Sequence, residues 1–205
     1  MDGLLVLNGF QLKRLWKMID GKEPGLAASI MRQIEDYTPG AGAAGDKEKF
    51  SEAARLLVQK KWLYDEQFET GHSYLNMCIV ALAWLMPDLQ PITDEIEADL
   101  LREIIPVLPR CGAEKHLQEL WKALINGRWL SAGEGVVLNP RRLLKTPYYG
   151  YLTDAELDYF VHKTSEIKSA LIEAMEPDFS EALEDVLYAC EEAVYEERDV
   201  MSIVS

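Results

Sequence analysis

The sequence predicts a predominantly α-helical domain, with about eight helices and a short apolar strand at each end. Three observations predict it. Apolar residues recur at three- and four-residue spacing through most of the 205 residues. Proline, glycine and capping signals cut these stretches into lengths of a few turns. Short apolar runs bounded by polar residues stand at the two ends, Leu4–Leu7 and Val200–Val204. A hydrophobic fraction of 48 % supplies a core without disulfide or metal staples, so residues 1–205 are expected to form a single globular domain.

Leu4-Leu5-Val6-Leu7 reads as a strand and Asn8-Gly9 as the turn that ends it. A helix follows over about residues 10–19, with Leu12, Leu15, Trp16 and Ile19 on one stripe. The next, Gly25 to Tyr37, carries Leu26, Ile30 and Ile34, and residues 38–46 then read as a flexible glycine-rich loop. A third helix spans about residues 46–61, with Phe50, Ala54, Leu57 and Val58. Gly71 to Met86 is apolar nearly all round, which marks a central buried helix, capped by Thr70 and stopped by Pro87. Thr93-Asp94-Glu95 looks like a helix start, with an end near Ile105 before Pro106.

Residues 113–126 predict a helix ended by Gly127, and Asn139-Pro140 a short one. Thr146 to Tyr151 reads as a loop. Thr153-Asp154-Ala155-Glu156 is a capping box that opens a helix to about Met175. After Pro177-Asp178 the last helix runs to about Glu197, and Val200 to Val204 reads as a strand. Phe50–Leu63 resembles Leu117–Leu130, each an amphipathic helix followed by Trp-Leu; two related helical units or chance similarity both account for it.

Charge divides the chain. Residues 1–150 hold 20 acidic and 18 basic residues, whereas residues 151–205 hold 15 acidic and 3 basic. Phosphate affinity comes from Lys and Arg, so nucleic acid and anionic membranes are disfavoured as partners, while a basic protein would be attracted. The last helix concentrates the charge on Glu181, Glu184, Asp185, Glu191, Glu192, Glu196 and Glu197, opposite an apolar stripe of Leu183, Val186, Leu187, Cys190, Ala193 and Val194. This face is either a solvated surface or a binding face for a cationic protein. Tyr148, Tyr149 and Tyr151 either complete a protein-binding patch beside it or pin a loop to the core.

Chemistry is thinly represented. Cys78, Cys111 and Cys190 are isolated among apolar neighbours, which predicts reduced core thiols rather than a disulfide or zinc site. Asp158, His162 and Glu166 share a helix face at four-residue spacing. They read as half a metal site, an acid/base pair or a solvated strip, and the alternatives to a binding role are an enzyme with a pocket near His162 and the tyrosines or a structural adaptor in a larger assembly, with the tryptophan-bearing helices as its contact surface. Phosphate-loop, nucleophile-elbow and zinc-protease motifs are missing from the sequence, and no cofactor is expected. Met1-Asp2-Gly3-Leu4 lacks the basic and long apolar segments of a signal peptide, and the longest apolar run, Cys78 to Met86, is about half a membrane span; a soluble cytoplasmic protein is expected.

Tyr151-Leu152-Thr153-Asp154-Ala155-Glu156-Leu157 resembles the Y-L-T-x-x-E-[LV] opening of a late helix in the YfbM-like proteins and related bacterial domains of unknown function. Leu187 to Ser205 is similar to that family's closing helix and strand. The resemblance implies an α+β topology in which the N- and C-terminal strands pair in a small sheet. It brings no established activity. Small acidic proteins of this kind recur among immunity proteins of polymorphic toxins, which makes a toxin inhibitor the concrete form of the binding reading.

Overall fold

A computed structural model describes residues 3–21, 25–37, 44–59, 72–128 and 148–204. Their contacts form two compact units, Gln11–Leu89 and a second made of Met1–Phe10 with Gln90–Ser205.

The first unit is helical: α1 (Leu12–Asp20), α2 (Leu26–Tyr37), α3 (Ala44–Val58) and α4 (His72–Trp84). Helices α2, α3 and α4 pack on one another, and α1 meets α3. The predicted stripes face inward: Leu15 and Ile19 of α1, then Leu26, Ile30 and Ile34 of α2, are buried. Helix α4 is buried all round from Leu75 to Ala83, which is why its sequence shows no polar face. Of the predicted loop over 38–46, residues 38–43 lie outside the described residues, while Ala44–Asp46 form the first turn of α3. One glycine costs a helix about 1 kcal/mol, too little to stop one that buries Ala53, Ala54 and Leu57. Thr70, Trp62 and Leu63 fall outside the described residues.

The second unit is α+β. Its strands are β1 (Leu4–Phe10), β2 (Gln90–Pro91), β3 (Ile96–Glu97), β4 (Tyr148–Leu152) and β5 (Asp199–Val204). The order is β2-β1-β5-β4, with β3 also on β1. The terminal strands pair antiparallel, from Leu5 opposite Val204 to Phe10 opposite Asp199, and β5 pairs with β4 from Tyr148 opposite Val204 to Leu152 opposite Val200. Helices α5 (Ala98–Arg102), α6 (Ile104–Val107), α7 (Lys115–Ile125), α8 (Asp154–Ala174) and α9 (Phe179–Tyr195) complete the unit. One sheet face, with Leu5, Leu7, Tyr148, Leu152, Val200 and Val204, joins the core built by these helices. On the other face Asn8, Phe10, Tyr149, Tyr151, Met201 and Ile203 are buried as well, while Val6 is half-buried and Leu4 exposed.

Burial on both faces accounts for the differences from the sequence reading. A doubly covered strand reads as a continuous apolar run without alternation. Tyr148 to Leu152 is such a run, so the expected loop is strand β4. Asn8-Gly9 is not a turn but the middle of β1, where buried Asn8 donates through Nδ2 to Val6 O at 3.1 Å. Thr93 does not start a helix. Its Oγ1 accepts from Leu7 N–H at 3.1 Å, and helix begins only at Ala98. A break at Glu103 separates α5 from α6, whose first turn contains Pro106, where a missing N–H costs no helical bond.

Gly150 is set by close approach. A Cβ there would strike the carbonyl oxygens of Ala123 and Leu124. Helix α7 ends against the sheet, and its last carbonyls find side-chain donors: Ser202 Oγ donates to Leu124 O, and Tyr148 Oη to Ile125 O at 3.0 Å. Gly127, at φ 96°, then turns the chain away.

Candidate functional site

The predicted acidic helix forms as α9, and its two sides divide by period. Leu183, Val186, Leu187, Cys190 and Ala193 are buried against the core, with Val194 partly so. Glu181, Glu184, Asp185, Glu191 and Glu196 are exposed on the opposite side, and Glu192 is half-exposed. Lys168 Nζ reaches Glu184 Oε1 at 2.9 Å, and Arg198 Nε reaches Glu196 Oε2 at 3.1 Å. Among the described residues, no cation pairs with Glu181, Asp185, Glu191 or Glu192. Like charges three and four apart cost a helix a few tenths of a kcal/mol each. The face is thus mildly unfavourable for the helix that carries it.

Two further residues belong to this face. Tyr188 is 57 % exposed and Tyr195 85 %, large rings left in solvent while the rest of the helix buries its apolar side. The sequence pattern instead points to Tyr148, Tyr149 and Tyr151. The signal of Tyr188 and Tyr195 is legible afterwards: at 100° per residue, positions 188 and 195 fall among the acids and opposite the Leu183–Ala193 stripe.

Tyr148, Tyr149 and Tyr151 are not part of a surface. They stand in β4 at 2 %, 0 % and 2 % exposure. The Arg102 guanidinium hydrogen-bonds the Tyr148 hydroxyl, and burial raises that phenol against the pull of Arg102. The Arg128 guanidinium lies 4.7 Å from the centre of the Tyr151 ring and pairs with Glu156 at 2.6 Å. Burial raises the Tyr151 phenol too. For Glu156 burial acts upward, but hydrogen bonds from Arg128 and Thr153 outweigh it and hold the carboxyl below its usual range. That same carboxylate accepts from Thr153 N–H and Oγ1, both at 2.9 Å, so the predicted capping box is present and is locked by an arginine. These tyrosines pin the sheet to its helices.

The Asp158, His162, Glu166 strip is solvated. His162 has 71 % of its side chain exposed and meets Glu166 Oε1 at 3.1 Å, while Lys163 Nζ takes the other oxygen at 2.8 Å. That hydrogen bond from Lys163 lowers the Glu166 carboxyl. His162 thus lies in solvent, whereas the three β4 tyrosines are buried. Among the described residues, no group of three or more His, Cys, Asp or Glu side chains is placed to hold a metal ion. Cys78 and Cys190 are buried, which pushes the Cys78 thiol up to about 12 and the Cys190 thiol up as well; Cys111 is partly exposed. Among the described residues, no helix is long and apolar enough to cross a membrane. Comparison with family models, with curated proteins and with solved structures finds no match.

Proposed function

We propose that this chain works by binding rather than by catalysis, as a cytoplasmic inhibitor or immunity protein that neutralises a basic partner, such as a nuclease toxin, through the outer face of α9. The observation that carries this reading is the row of carboxylates at Glu181, Asp185, Glu191 and Glu192, which meet no cation among the described residues. Fixed acids without counter-charges cost the free protein self-repulsion and return that energy on contact with a cationic surface. Such a field also raises the association rate, and a captured toxin must be met before it acts. The likeness of the chain ends to YfbM-like proteins is compatible with this role but transfers no activity.

The test is charge reversal. Glu181→Lys, Asp185→Lys, Glu191→Lys and Glu192→Lys together should abolish capture of a basic protein from lysate, with the far-ultraviolet circular dichroism unchanged. Capture at the wild-type level by the folded variant refutes the reading.

A further inference from the structure

The outer face of α9 repeats. Glu184-Asp185-Val186-Leu187-Tyr188 is followed seven residues later by Glu191-Glu192-Ala193-Val194-Tyr195, two acids, two buried or half-buried apolar residues and an exposed tyrosine each time. Seven residues advance a helix by about 10.5 Å and return the side chain to within about 20° of the same direction. Around the axis, Glu184 and Glu191 fall on one flank of the tyrosines, and Asp185 and Glu192 on the other. A helical side chain leans toward the preceding turn, so each ring sits over its own pair of carboxylates. The face therefore repeats an aromatic plate between two acids about 10.5 Å apart, with Glu184 of the first unit already held by Lys168 at 2.9 Å.

Resting on the proposed binding role, we propose that this repeat is an arginine reader: Tyr188 and Tyr195 each stack a guanidinium of a basic helix in the partner, whose two arginines stand seven residues apart. An exposed phenol ring has an electron-rich face that attracts a cation within about 6 Å. Arginine suits it better than lysine, because the flat guanidinium can lie on a ring while its edge N–H groups donate to carboxylates beside it. The chain already uses this pairing in its interior, where the Arg128 guanidinium lies over Tyr151 and donates to Glu156. A helix fits this spacing, because a strand repeats same-face residues about 6.6 or 13 Å apart and neither matches about 10.5 Å. A second copy of this chain is disfavoured as the occupant, because it would bring the same unpaired carboxylates against each other.

The experiment uses the full chain and three amidated, alanine-rich helical peptides followed by fluorescence anisotropy. One carries arginines seven residues apart, the second lysines at the same positions, and the third arginines five residues apart. The seven-spaced arginine peptide should bind about ten-fold more tightly than either of the others. Replacing both rings, Tyr188→Ala with Tyr195→Ala, should erase that preference. Tyr188→Phe with Tyr195→Phe should keep it, because the ring face remains. Equal binding of the arginine and lysine peptides, a preference that survives the alanine pair, or indifference to spacing would each overturn the inference. If binding depends on the four acids but not on the rings, the reader fails while the acidic-face reading stands. If the four-lysine variant binds all three peptides as well as the wild type, both fail. Concentration-dependent self-association of the free chain that the alanine pair abolishes would also overturn it.

Discussion

Strand β4 and helix α9 present the same side chain in opposite roles. Tyr148, Tyr149 and Tyr151 lie within four residues of one another in a strand covered on both faces, at 2 % exposure or less. Tyr188 and Tyr195 lie seven apart on a helix, at 57 % and 85 %. Tyrosine composition alone would assign all five to an interface, because the ring is large, rigid and amphipathic. Period decides otherwise. A strand turns successive side chains to opposite faces, so adjacent tyrosines need cover on both sides. A seven-residue helical repeat keeps its rings on one side, where solvent or a partner must meet them.

The comparison breaks most easily at Gly150. Gly150→Ala sets a methyl group against the backbone oxygens of Ala123 and Leu124, which cannot retreat without moving α7 off the sheet. We expect a loss of about 3 kcal/mol, the upper end of overpacking costs, read as a shift of the urea midpoint. A loss below about 1 kcal/mol would show that β4 does not lie so close to α7. Ser202→Ala removes the hydroxyl that accepts from Gly150 N–H at 3.1 Å and donates to Leu124 O, both buried. The expected loss is about 1–3 kcal/mol.

Glu156 sharpens the β4 side of the comparison through pH. Its carboxyl is held low in the folded chain, so its contribution to stability is fully present above the ordinary carboxylate range and is lost as pH falls through the folded value. Glu156→Gln should destabilise by about 1–3 kcal/mol at neutral pH, since the Arg128 side chain, only 12 % exposed, loses its ionic partner. The gap between wild type and variant should close as pH is lowered below about 4. A gap that stays constant down to acid pH would assign the loss to packing instead.

Much of this was readable beforehand, and the limits have physical causes. The stripes of α2, α7 and α9, the all-round apolar run of α4 and the capping box of α8 follow from period and local hydrogen bonding, which the sequence carries directly. The acids of α9 were legible for the same reason. Strand β4 was not, because Pro147 before it and Gly150 inside it are also loop residues. What makes Gly150 a strand residue is a helix end about 26 residues earlier in the chain, and no local pattern records that distance. Thr93 failed likewise: its hydroxyl serves Leu7 N–H, a partner 86 residues away, instead of capping its own helix. Tyr188 and Tyr195 were readable but were overlooked, because a pair of tyrosines seven apart looks weaker than three in a row.

The α9 side predicts small effects. Tyr188→Ala and Tyr195→Ala should each change stability by no more than about 0.5 kcal/mol, as expected of exposed side chains. Replacing the acids gives the smallest effect and the most informative sign. Asp185→Asn with Glu192→Gln removes two carboxylates that repel Glu181 and Glu196 at four-residue spacing and meet no cation among the described residues. The helix should gain a few tenths of a kcal/mol, seen as a slightly higher urea midpoint in low salt, and the gain should shrink as salt screens the charges it relieves. A gain would mean that these acids are kept at the expense of the fold, which is what a binding face requires. A loss would mean that they serve the fold itself, and the contrast between buried tyrosines that hold the sheet to its helices and exposed ones proposed to meet a partner would lose its second half.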